Sequence, residues 1–395
     1  MTAILTDTPL LSAATADLGA HLRLLGPVPW QSGPRRLIDV LRAAGLTGRG
    51  GAAFPTWRKI AAVAVGRQTV VIANGAEGEP ASRKDYTLLR QAPHLVLDGL
   101  QLAAESVGAE RVYLYAPAGS LDAVRAAATA RRRTDRHWVD LVPAGDSFLA
   151  GEESAVVAAI EGRTPRPRDK ARLVVEAGVR GRPTLVQNVE TLAQLALIAR
   201  HGPDWFRSRG TADEPGTFLA TVSGAVGAPG VYEVPYGMSL GELLDRAAPA
   251  ELGAVLIGGY HGAWVPADTH RTLPLSRAGL ARHGGSPGAG VIVALPVGAC
   301  PLAETTAILT YLAGQSSRQC GPCRNGLPTM AHTFQRLAQG SRDPSLPGEV
   351  LRIAGLVTGR GACHHPDGTA RLAASALRLF ADDVSAHLEG RCARM

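Results

Sequence analysis

The stretch TVVIANGAEGEP, residues 69–80, decides the fold of this chain. It opens with a β-branched run that is typical of a short buried strand, 69–74, which ends in an Asn-Gly turn signal. Two more strands are predicted further along, at 111–117 and 137–145. Helical patterns separate and follow these strands, at 86–107, 120–132 and 151–162. Strands that alternate with helices at this spacing predict an α/β domain whose mostly parallel sheet is covered by helices.

The flanking segments extend this pattern to three predicted domains. Helices are expected within 1–45, at 55–65 and at 183–202, with an ordered loop over 163–183. From residue 216, short strands around a Gly-Pro turn indicate a small, mainly β module. From about 299 the chain is predicted to be helical around a cysteine loop. The predicted domains are 1–215, 216–298 and 299–395.

Composition describes a globular protein rather than a disordered one. The chain has 395 residues, 46% of them hydrophobic and 19% charged, and its formal net charge of +7 is compatible with acidic partners or phosphate-bearing cofactors. The densest basic run, Arg131 to Arg133 with Arg136, is expected to be a solvated helix end. Because no aromatic residues interleave with this run, nucleic-acid binding is not expected.

Neither a signal peptide nor a membrane span is expected. The N-terminus carries Asp7 and Asp17 in place of a basic and then apolar pattern, and the most apolar stretch, 291–314, contains Pro296, Pro301 and Glu304. We therefore expect a soluble cytoplasmic protein. In a reducing compartment, five cysteines favour metal or redox use of some of them over a disulfide framework.

Three polar stretches are candidates for ligand binding. The turn Gly48-Arg49-Gly50-Gly51 precedes a predicted helix, where backbone N–H groups and the charges of Arg49 and Lys59 suit an anion, although a purely structural turn fits equally. Glu77 and Glu79 follow the first strand, where α/β sheets bind ligands, or they form a solvated acidic loop. Glu152 and Glu153 open a helix, where a capping role competes with a binding role.

The cysteines form the fourth candidate. Cys320 and Cys323 have CxxC spacing, and Cys363 follows; thiolates so arranged can bind an iron–sulfur cluster or zinc, or form a redox dithiol. Cys300 lies in an apolar stretch and is expected to be a packing residue, and Cys392 is expected to be a free thiol.

Six stretches in the same order resemble one family. They are GLTGRGGAAFPTWRK (45–59), NGAEGEPASRKD (74–85), AGEESAVVAAIEGRTPRPR (150–168), PTLVQNVETLA (183–193), SGAVGAPGVYEVPYG (223–237) and SSRQCGPCRNG (316–326). Over about residues 40 to 385 the chain resembles the NADH-binding flavoprotein subunit of respiratory NADH–quinone oxidoreductase and the related flavin subunits of hydrogenases and formate dehydrogenases.

The resemblance implies a Rossmann-like α/β domain that binds FMN, then a β-grasp (SLBB) domain and a C-terminal helical iron–sulfur bundle. It implies that NADH gives a hydride to FMN and that electrons leave singly through a [4Fe–4S] cluster. The expected acceptor is a small iron–sulfur protein, either a [2Fe–2S] subunit or a ferredoxin. A non-catalytic flavin- or nucleotide-binding scaffold of a redox complex, and a ligand-binding module centred on the β-grasp domain, are the alternatives.

The same resemblance assigns roles to individual residues. Phe54 would stack near the adenine and Lys59 would contact the flavin. Glu77, Glu79 and Glu153 would serve the chemistry at the flavin and nicotinamide, and the carboxylates would repel the 2′-phosphate of NADPH. The residues expected to bind the cofactors are Gly48, Arg49, Gly50, Gly51, Phe54, Lys59, Asn74, Gly151, Glu152, Glu153, Asn188 and Thr191.

Two departures from the family pattern bear on function. Ser317 stands where the first cluster cysteine is expected, which leaves Cys320, Cys323 and Cys363 as thiolate ligands of a [4Fe–4S] or a [3Fe–4S] cluster. We expect a bound cluster, with Ser317, His364 or an outside group as the fourth ligand if four irons are present, and we expect His364 and His365 to be surface residues. Trp57 replaces a glycine and either narrows the nicotinamide channel or supplies a stacking partner.

Overall fold

The computed structural model describes residues 8–31 and 34–392, which form two compact units. The first unit comprises the chain up to Pro167 together with Ala171–Ala220 and Val231–Gly237. The second comprises Arg168–Lys170, Thr221–Gly230 and the chain from Met238 onward. The division into three domains at 215/216 and 298/299 remains a prediction.

A four-stranded parallel sheet is the centre of the first unit. Its strands are β1 (Val70–Asn74), β2 (Arg111–Ala116), β3 (Val139–Pro143) and β4 (Thr184–Asn188), in the spatial order β3-β2-β1-β4. All three predicted strands are present within one or two residues of their expected ends. In the pairing of β1 with β4, Val70 lies opposite Thr184 and Asn74 opposite Asn188.

Helices cover both faces of this sheet, as predicted for an α/β fold. Along the first unit they are α1 (Pro9–Ser12), α2 (Leu18–Leu25), α3 (Pro34–Ala44), α4 (Thr56–Ala64), α5 (Lys84–Gln91), α6 (Pro93–Val107), α7 (Ala118–Ala130), α8 (Glu153–Ile160), α9 (Val189–His201) and α10 (Pro203–Arg207). Alternate residues of β1 enter different cores: Val71 packs with α6 and α9 on one face, whereas Ile72 packs with α8 on the other.

Two predicted helices are corrected by the structure. The segment 183–202 is not one helix, because its first residues form β4, and the Asn188 side chain accepts a hydrogen bond from the Glu190 amide to begin α9. Its apolar spacing suits a strand and a helix alike, so pairing with β1 decides. The predicted helix 86–107 is broken at Ala92, since Pro93 disfavours a helical conformation in the residue before it.

The basic run at the end of α7 is only partly solvated, contrary to expectation. Arg131 is buried and forms ion pairs with Asp98 at 2.6 Å and with Asp135 at 2.9 Å. Arg132 and Arg133 are exposed, as predicted. The first residue of this run therefore stabilises the unit from within.

A mixed sheet follows the parallel sheet along the chain. Five strands, β5 (Thr217–Gly224), β6 (Gly230–Pro235), β7 (Leu252–Ile257), β8 (Ala263–Pro266) and β9 (Val291–Pro296), have the spatial order β6-β5-β9-β7-β8. The residues of β5 up to Ala220, and those of β6 from Val231 onward, belong to the first unit. Strands β5 and β9 are parallel, whereas β7 is antiparallel to both β8 and β9. The strands predicted from residue 216 are thus present, while their forming a separate domain remains a prediction.

The C-terminal part of the second unit is helical, as predicted. The helices of this unit are α11 (Leu240–Arg246), α12 (Arg277–Ala281), α13 (Pro301–Gly314), α14 (Leu327–Ala338), α15 (Leu346–Val357), α16 (His365–Leu379) and α17 (Ala381–Leu388). A π-helical turn, Pro322–Gly326, leads directly into α14. Across the described part of the chain, no helix combines the length and the apolar character that a membrane span needs.

Candidate functional site

The carboxyl ends of β1 and β4 bring two predicted site residues together. Asn74 and Asn188 are register partners at the last paired position of these parallel strands. The Asn74 side-chain amide donates to the Gly151 carbonyl oxygen at 2.9 Å, and the Asn188 side-chain amide donates to the Asn74 carbonyl oxygen at 3.4 Å. These contacts hold three predicted cofactor-binding residues at one edge of the sheet.

This edge is also where the connections of the sheet diverge. The chain leaves β1 for β2 on one side, while β4 pairs on the other side of β1, and the helices that follow β1 and β3 cover opposite faces. A crevice between such diverging connections, off the carboxyl ends of the strands, is where open α/β sheets bind their ligands. The topology therefore places the candidate site beside Asn74 and Asn188.

The glycine turn at 48–51 lies next to this edge. The Gly48 amide donates to the Phe54 carbonyl oxygen at 2.9 Å, which closes the turn just before α4. Gly51 has a φ of +108°, a backbone conformation that residues other than glycine rarely adopt. A Cβ atom on Gly50 would lie 3.5 Å from the Cβ of Asn188. Phe54 is 52% exposed, so its ring is accessible to a ligand.

Arg49 is buried within the unit rather than displayed as a free cation. Its backbone amide donates to the Thr191 hydroxyl oxygen at 2.9 Å. Its guanidinium donates to the carbonyl oxygens of Thr47 and Thr217, each at 3.1 Å, and lies 4.8 Å from the ring centre of Tyr236. The Arg49 side chain therefore stabilises the glycine turn through hydrogen bonds inside the protein.

Glu77 connects the acidic loop after β1 to the start of α5. One Glu77 carboxylate oxygen accepts from the Asp85 amide and the other from the Tyr86 amide, each at 3.0 Å, at the first turn of α5. Gly78 has no room for a side chain, because a Cβ there would come within 2.4 Å of the Phe148 carbonyl oxygen. Glu77 therefore fixes the loop, while Glu79 is half-buried and its carbonyl oxygen accepts from the Ser82 amide at 3.0 Å.

The two adjacent glutamates at the start of α8 have different environments. Glu152 caps the helix, accepting hydrogen bonds from the amides of Ser154 at 2.9 Å and Ala155 at 3.2 Å. Glu153 forms an ion pair with Lys59 of α4, and its side chain is 45% exposed. Of the pair, Glu153 thus presents a carboxylate to solvent and to any ligand at this edge.

A buried charge cluster beneath the edge was not predicted. Lys84 is buried and pairs with Asp85 at 2.7 Å and with Glu190 at 2.9 Å, and Asn188 donates to Asp85 at 2.7 Å. Burial raises the pKa of the Asp85 carboxyl to about 7, with Lys84 opposing this and Glu77 adding to it. Burial alone would lower the pKa of Lys84, but the surrounding carboxylates raise it, so its ammonium stays charged.

These three charged residues lie inside stretches that the sequence analysis singled out. Lys84 and Asp85 end NGAEGEPASRKD, and Glu190 lies between Asn188 and Thr191. The available signal was a Lys-Asp pair in the first turn of a helix that follows a strand and loop. Sequence alone does not distinguish a buried pair there from a solvated one, because either suits a helix start.

The cysteines lie in the second unit, around the π-helical turn. Cys323 and Cys363 are buried and Cys320 is half-buried. Burial raises the pKa of the Cys323 thiol to about 12, and the neighbouring thiols of Cys320 and Cys363 add to this effect. The Cys323 thiol is therefore near enough to the other two thiols to respond to their charge, and π-helical turns are frequent at functional sites.

Backbone amides favour a thiolate at Cys320. Burial would raise the pKa of its thiol, but N–H groups of Cys323 and Ala362 outweigh burial and lower it. Ser317 is half-buried three residues earlier, and the neighbouring Ser316 hydroxyl donates to the Cys323 carbonyl oxygen at 3.3 Å. Three free cysteines in this unit, one of them with backbone N–H donors at its sulfur, are of the residue type that binds an iron–sulfur cluster.

One of the two histidines after Cys363 contradicts the surface prediction. The His364 side chain is 80% exposed and pairs with Asp367, as expected of a surface residue. His365 is buried; its Nδ1 lies 3.0 Å from His261 Nε2, and its Nε2 lies 2.9 Å from the Leu312 carbonyl oxygen. The prediction failed for His365 because this residue begins α16 and its side chain is buried in the second unit, although the adjacent His364 is exposed.

Trp57 packs against the protein rather than standing alone. Its ring contacts the core of the first unit, and the guanidinium carbons of Arg42 and Arg58 lie 4.5 and 5.2 Å from its ring centre. These contacts give the indole a packing role beside α3. Whether it narrows the nicotinamide channel or stacks on a ligand remains a prediction.

Comparison with known proteins agrees with this arrangement. Residues 41–197 match the family model of the Nuo51 FMN-binding domain, and residues 303–387 match the NADH-ubiquinone oxidoreductase-F iron-sulfur binding region. The F-type NADH-quinone oxidoreductase subunit of Mycobacterium bovis is 30% identical over 385 residues, covering 90% of this chain and 85% of that protein. This chain belongs to the F-type family of NADH-quinone oxidoreductase subunits. Its similarity to an F-type subunit of Rhizobium meliloti, 29% identity, covers 98% of this chain and 96% of that protein.

A solved structure shares the fold of this F-type family member. A chain of the NAD+-reducing [NiFe]-hydrogenase, in the crystal structure of its air-oxidized state, superposes with a TM-score of 0.85 at 31% sequence identity. The match covers 90% of the present chain and 63% of the hydrogenase chain. The present chain thus spans somewhat less than two thirds of the length of that hydrogenase chain.

The residues at the sheet edge fit the FMN of this family. The glycine turn offers backbone N–H groups without obstructing side chains, which suits a phosphate. Gly51 adopts a φ of +108° in that turn, and the positive Lys59 lies at the same edge through its pair with Glu153. The exposed Phe54 offers an aromatic face. The match to the family's iron–sulfur binding region, residues 303–387, includes Cys320, Cys323 and Cys363.

Proposed function

We propose that this chain oxidises NADH on FMN and passes the electrons one at a time, through an iron–sulfur cluster, to an iron–sulfur partner protein. The observation that carries the proposal is the meeting of the glycine turn, Asn74 and Asn188 at one edge of the sheet, within the matched FMN-binding region 41–197. Bound FMN accepts a hydride and releases single electrons, a change of electron number that protein side chains do not perform.

Different residues of this edge would bind different parts of the FMN and of NADH. Backbone N–H groups of Gly48, Gly50 and Gly51 would hold a phosphate, and Thr191 supports the turn through the Arg49 amide. Asn74 and Asn188 would orient the flavin ring, because their side chains are themselves held by Gly151 and the amide of Glu190. Phe54 would stack near the adenine of NADH.

The charged residues would select and position the nucleotide. Lys59 would contact the flavin, with Glu153 holding its ammonium in place. Glu153, half-exposed, and Glu79 would meet the 2′-phosphate of NADPH with like charge and so favour NADH. Glu77 and Glu152 would act by positioning, because their carboxylates cap α5 and α8.

In the second unit, Cys320, Cys323 and Cys363 would bind the cluster, with Ser317 as a weak fourth ligand. The strands from residue 216 onward would form the β-grasp (SLBB) domain. The partner would be a small iron–sulfur protein, either a [2Fe–2S] subunit or a ferredoxin. Matches to both the FMN and the iron–sulfur models of the family favour this function over a non-catalytic scaffold.

Anaerobic reduction tests the proposal. The protein is purified without oxygen, its FMN, iron and sulfide are quantified, and its spectrum is followed after addition of NADH or NADPH. We expect NADH to bleach the flavin absorbance and NADPH to do so much more slowly. A protein that holds FMN and cluster but is not reduced by NADH would favour the scaffold, and a protein that takes up neither FMN nor iron would refute both.

A further inference from the structure

A second group of metal-binding side chains lies in the helical part of the second unit. Cys300, His387 and Cys392 offer two sulfurs and one imidazole nitrogen, and these three atoms all lie within 4.8 Å of one another. Cys300 precedes α13, His387 lies in the last turn of α17, and Cys392 follows that helix. None of the three candidate cluster cysteines, Cys320, Cys323 and Cys363, belongs to this group.

The spacing of these atoms matches a tetrahedral metal site. Zinc binds sulfur at about 2.3 Å and nitrogen at about 2.0–2.1 Å, so two tetrahedral ligands of these kinds lie roughly 3.5–3.8 Å apart. Cys300 Sγ lies 3.5 Å from His387 Nε2, at the short end of that range. That separation is ordinary for a hydrogen bond that involves sulfur, and it equally suits two ligands of one ion.

The burial of these residues also points to a ligand. His387 is 4% exposed, and its Nε2 is directed at the sulfur of Cys300. Cys300 and Cys392 are half-buried free thiols. Cys300 is the N-cap residue of the 14-residue helix α13, so its sulfur lies beside the free backbone N–H groups of the first turn. A cation bound between the two sulfurs and the imidazole would hold both cysteines as thiolates, because thiolate is the form that binds a metal ion.

We propose that Cys300, His387 and Cys392 bind one zinc ion, which ties the end of α17 and the chain after it to the start of α13. Thiolate and imidazole together select zinc over magnesium or calcium, which prefer oxygen ligands. Three protein ligands leave one coordination position for water or for an outside group. The expectation that Cys300 only packs and that Cys392 is a free thiol is replaced by this shared role.

Zinc quantitation and zinc-edge X-ray absorption test the proposal on the complete chain with its flavin and cluster. The anaerobic protein is titrated with zinc sulfate against a chromophoric chelator. We expect one tightly bound equivalent, with sulfur neighbours near 2.3 Å and a nitrogen or oxygen shell near 2.0–2.1 Å. The zinc edge is separate from that of iron, so an occupied cluster does not interfere, and the unsubstituted protein suffices.

Single variants assign the ligands. Cys300→Ser, His387→Gln and Cys392→Ser should each lose the bound equivalent, whereas Cys320→Ser should keep it. A protein without stoichiometric zinc, a zinc shell without sulfur, or zinc retained by all three variants would overturn the proposal. So would a Cys300–Cys392 disulfide found by mass spectrometry in protein kept reduced throughout. Flavin reduction by NADH is measured separately, so the two proposals fail independently.

Discussion

Asn74 and Asn188 lie opposite each other at the carboxyl ends of β1 and β4, and each of them holds a different loop. The Asn74 amide donates to Gly151, before α8, while the Asn188 oxygen accepts from the Glu190 amide at 3.0 Å to open α9. A single pair of adjacent strand ends therefore aligns two helix starts at the candidate flavin site. The same Asn188 also donates to the buried Asp85, which couples the edge to the charge cluster below it.

Asn188→Ala tests this coupling. The variant loses the cap of α9, which costs about 1 kcal/mol, and it should also bind FMN more weakly because the sheet edge relaxes. Thermal unfolding and an FMN titration followed by flavin fluorescence measure the two effects. Ser239→Ala is the matched control, since Ser239 caps α11 by accepting from the Glu242 amide at 3.1 Å. FMN affinity equal in the two variants would argue against a binding role for Asn188.

Glu153→Gln tests nucleotide selection. Removing this half-exposed carboxylate should lower the preference for NADH over NADPH roughly tenfold, about 1.4 kcal/mol, which is within the range for a partly screened charge contact. The readout is the ratio of kcat/KM for the two nucleotides. Glu110→Gln is the control, because Glu110 precedes β2 at the opposite end of the sheet and pairs with Arg182. An unchanged ratio in Glu153→Gln would exclude repulsion by this carboxylate.

Ser317→Cys tests whether the missing thiol limits the cluster. With a fourth thiolate, the protein should hold more iron per chain and lose it more slowly in air, because serine oxygen is a poorer iron ligand than a thiolate. Iron and sulfide analysis and electron paramagnetic resonance measure the change. Ser316→Cys places the same thiol one residue earlier and should not have this effect. Equal iron content and resonance signals in the wild type and Ser317→Cys would contradict the expectation.

Asp98→Asn should destabilise the first unit. Asp98 is buried and pairs with the guanidiniums of Arg131 and Arg200. Its loss leaves Arg131 with Asp135 alone and removes the carboxylate that pairs with Arg200, at a cost of about 3–5 kcal/mol. Urea unfolding measures this cost. Asp122→Asn, in an exposed pair with Arg125, should change stability by less than about 0.5 kcal/mol. A small effect of Asp98→Asn would mean that the buried pairs contribute little.

The same carboxyl predicts a response to acid. Burial would raise the pKa of Asp98, but His21 and the two guanidiniums lower it to about 2, from an ordinary 3.8. Its stabilising contribution is therefore complete above pH 3.8 and is lost as the pH falls through 2. Between pH 4 and 2, the free energy of unfolding should fall more steeply in the wild type than in Asp98→Asn.

We expect the contribution of Glu233 to the free energy of unfolding to have the opposite pH dependence, and Glu233→Gln tests this. Burial raises the pKa of Glu233 to about 8 from 4.5, although Thr217 and the amides of Leu10 and Leu11 oppose the rise. The native state then holds a proton that the unfolded chain releases, so this contribution to stability is complete below pH 4.5 and is lost as the pH rises through 8. Glutamine resembles the protonated form and should remove this slope, making the variant more stable by roughly 1–3 kcal/mol above pH 8.

Thermal unfolding of Glu233→Gln and the wild type at several pH values measures the difference. Glu242→Gln is the control, because Glu242 forms a half-exposed pair with Arg246 and should leave the slope unchanged. Parallel stability curves for the wild type and Glu233→Gln between pH 5 and 8 would show that Glu233 is ionised in the folded protein.

Local pattern was sufficient to predict β1, β2 and β3, the family and the motifs that meet at the sheet edge. A β-branched run followed by Asn-Gly specifies β1 because both signals act through neighbouring residues. The order of the motifs along the chain likewise predicts Asn74 at the end of β1 and Gly151 after β3, whereas Asn188 was expected within a helix. That these three residues then touch follows from parallel pairing, since carboxyl ends of parallel strands share one edge.

Contacts between distant residues decided the rest. TLVQN became β4 because β1 pairs with it, and Lys84 became a buried ion-pair residue because Glu190 lies 2.9 Å away. His387 and Cys392 meet Cys300 only after α17 packs in the second unit. Burial and charge pairing depend on what lies across space, and the spacing of residues along the chain does not contain that information.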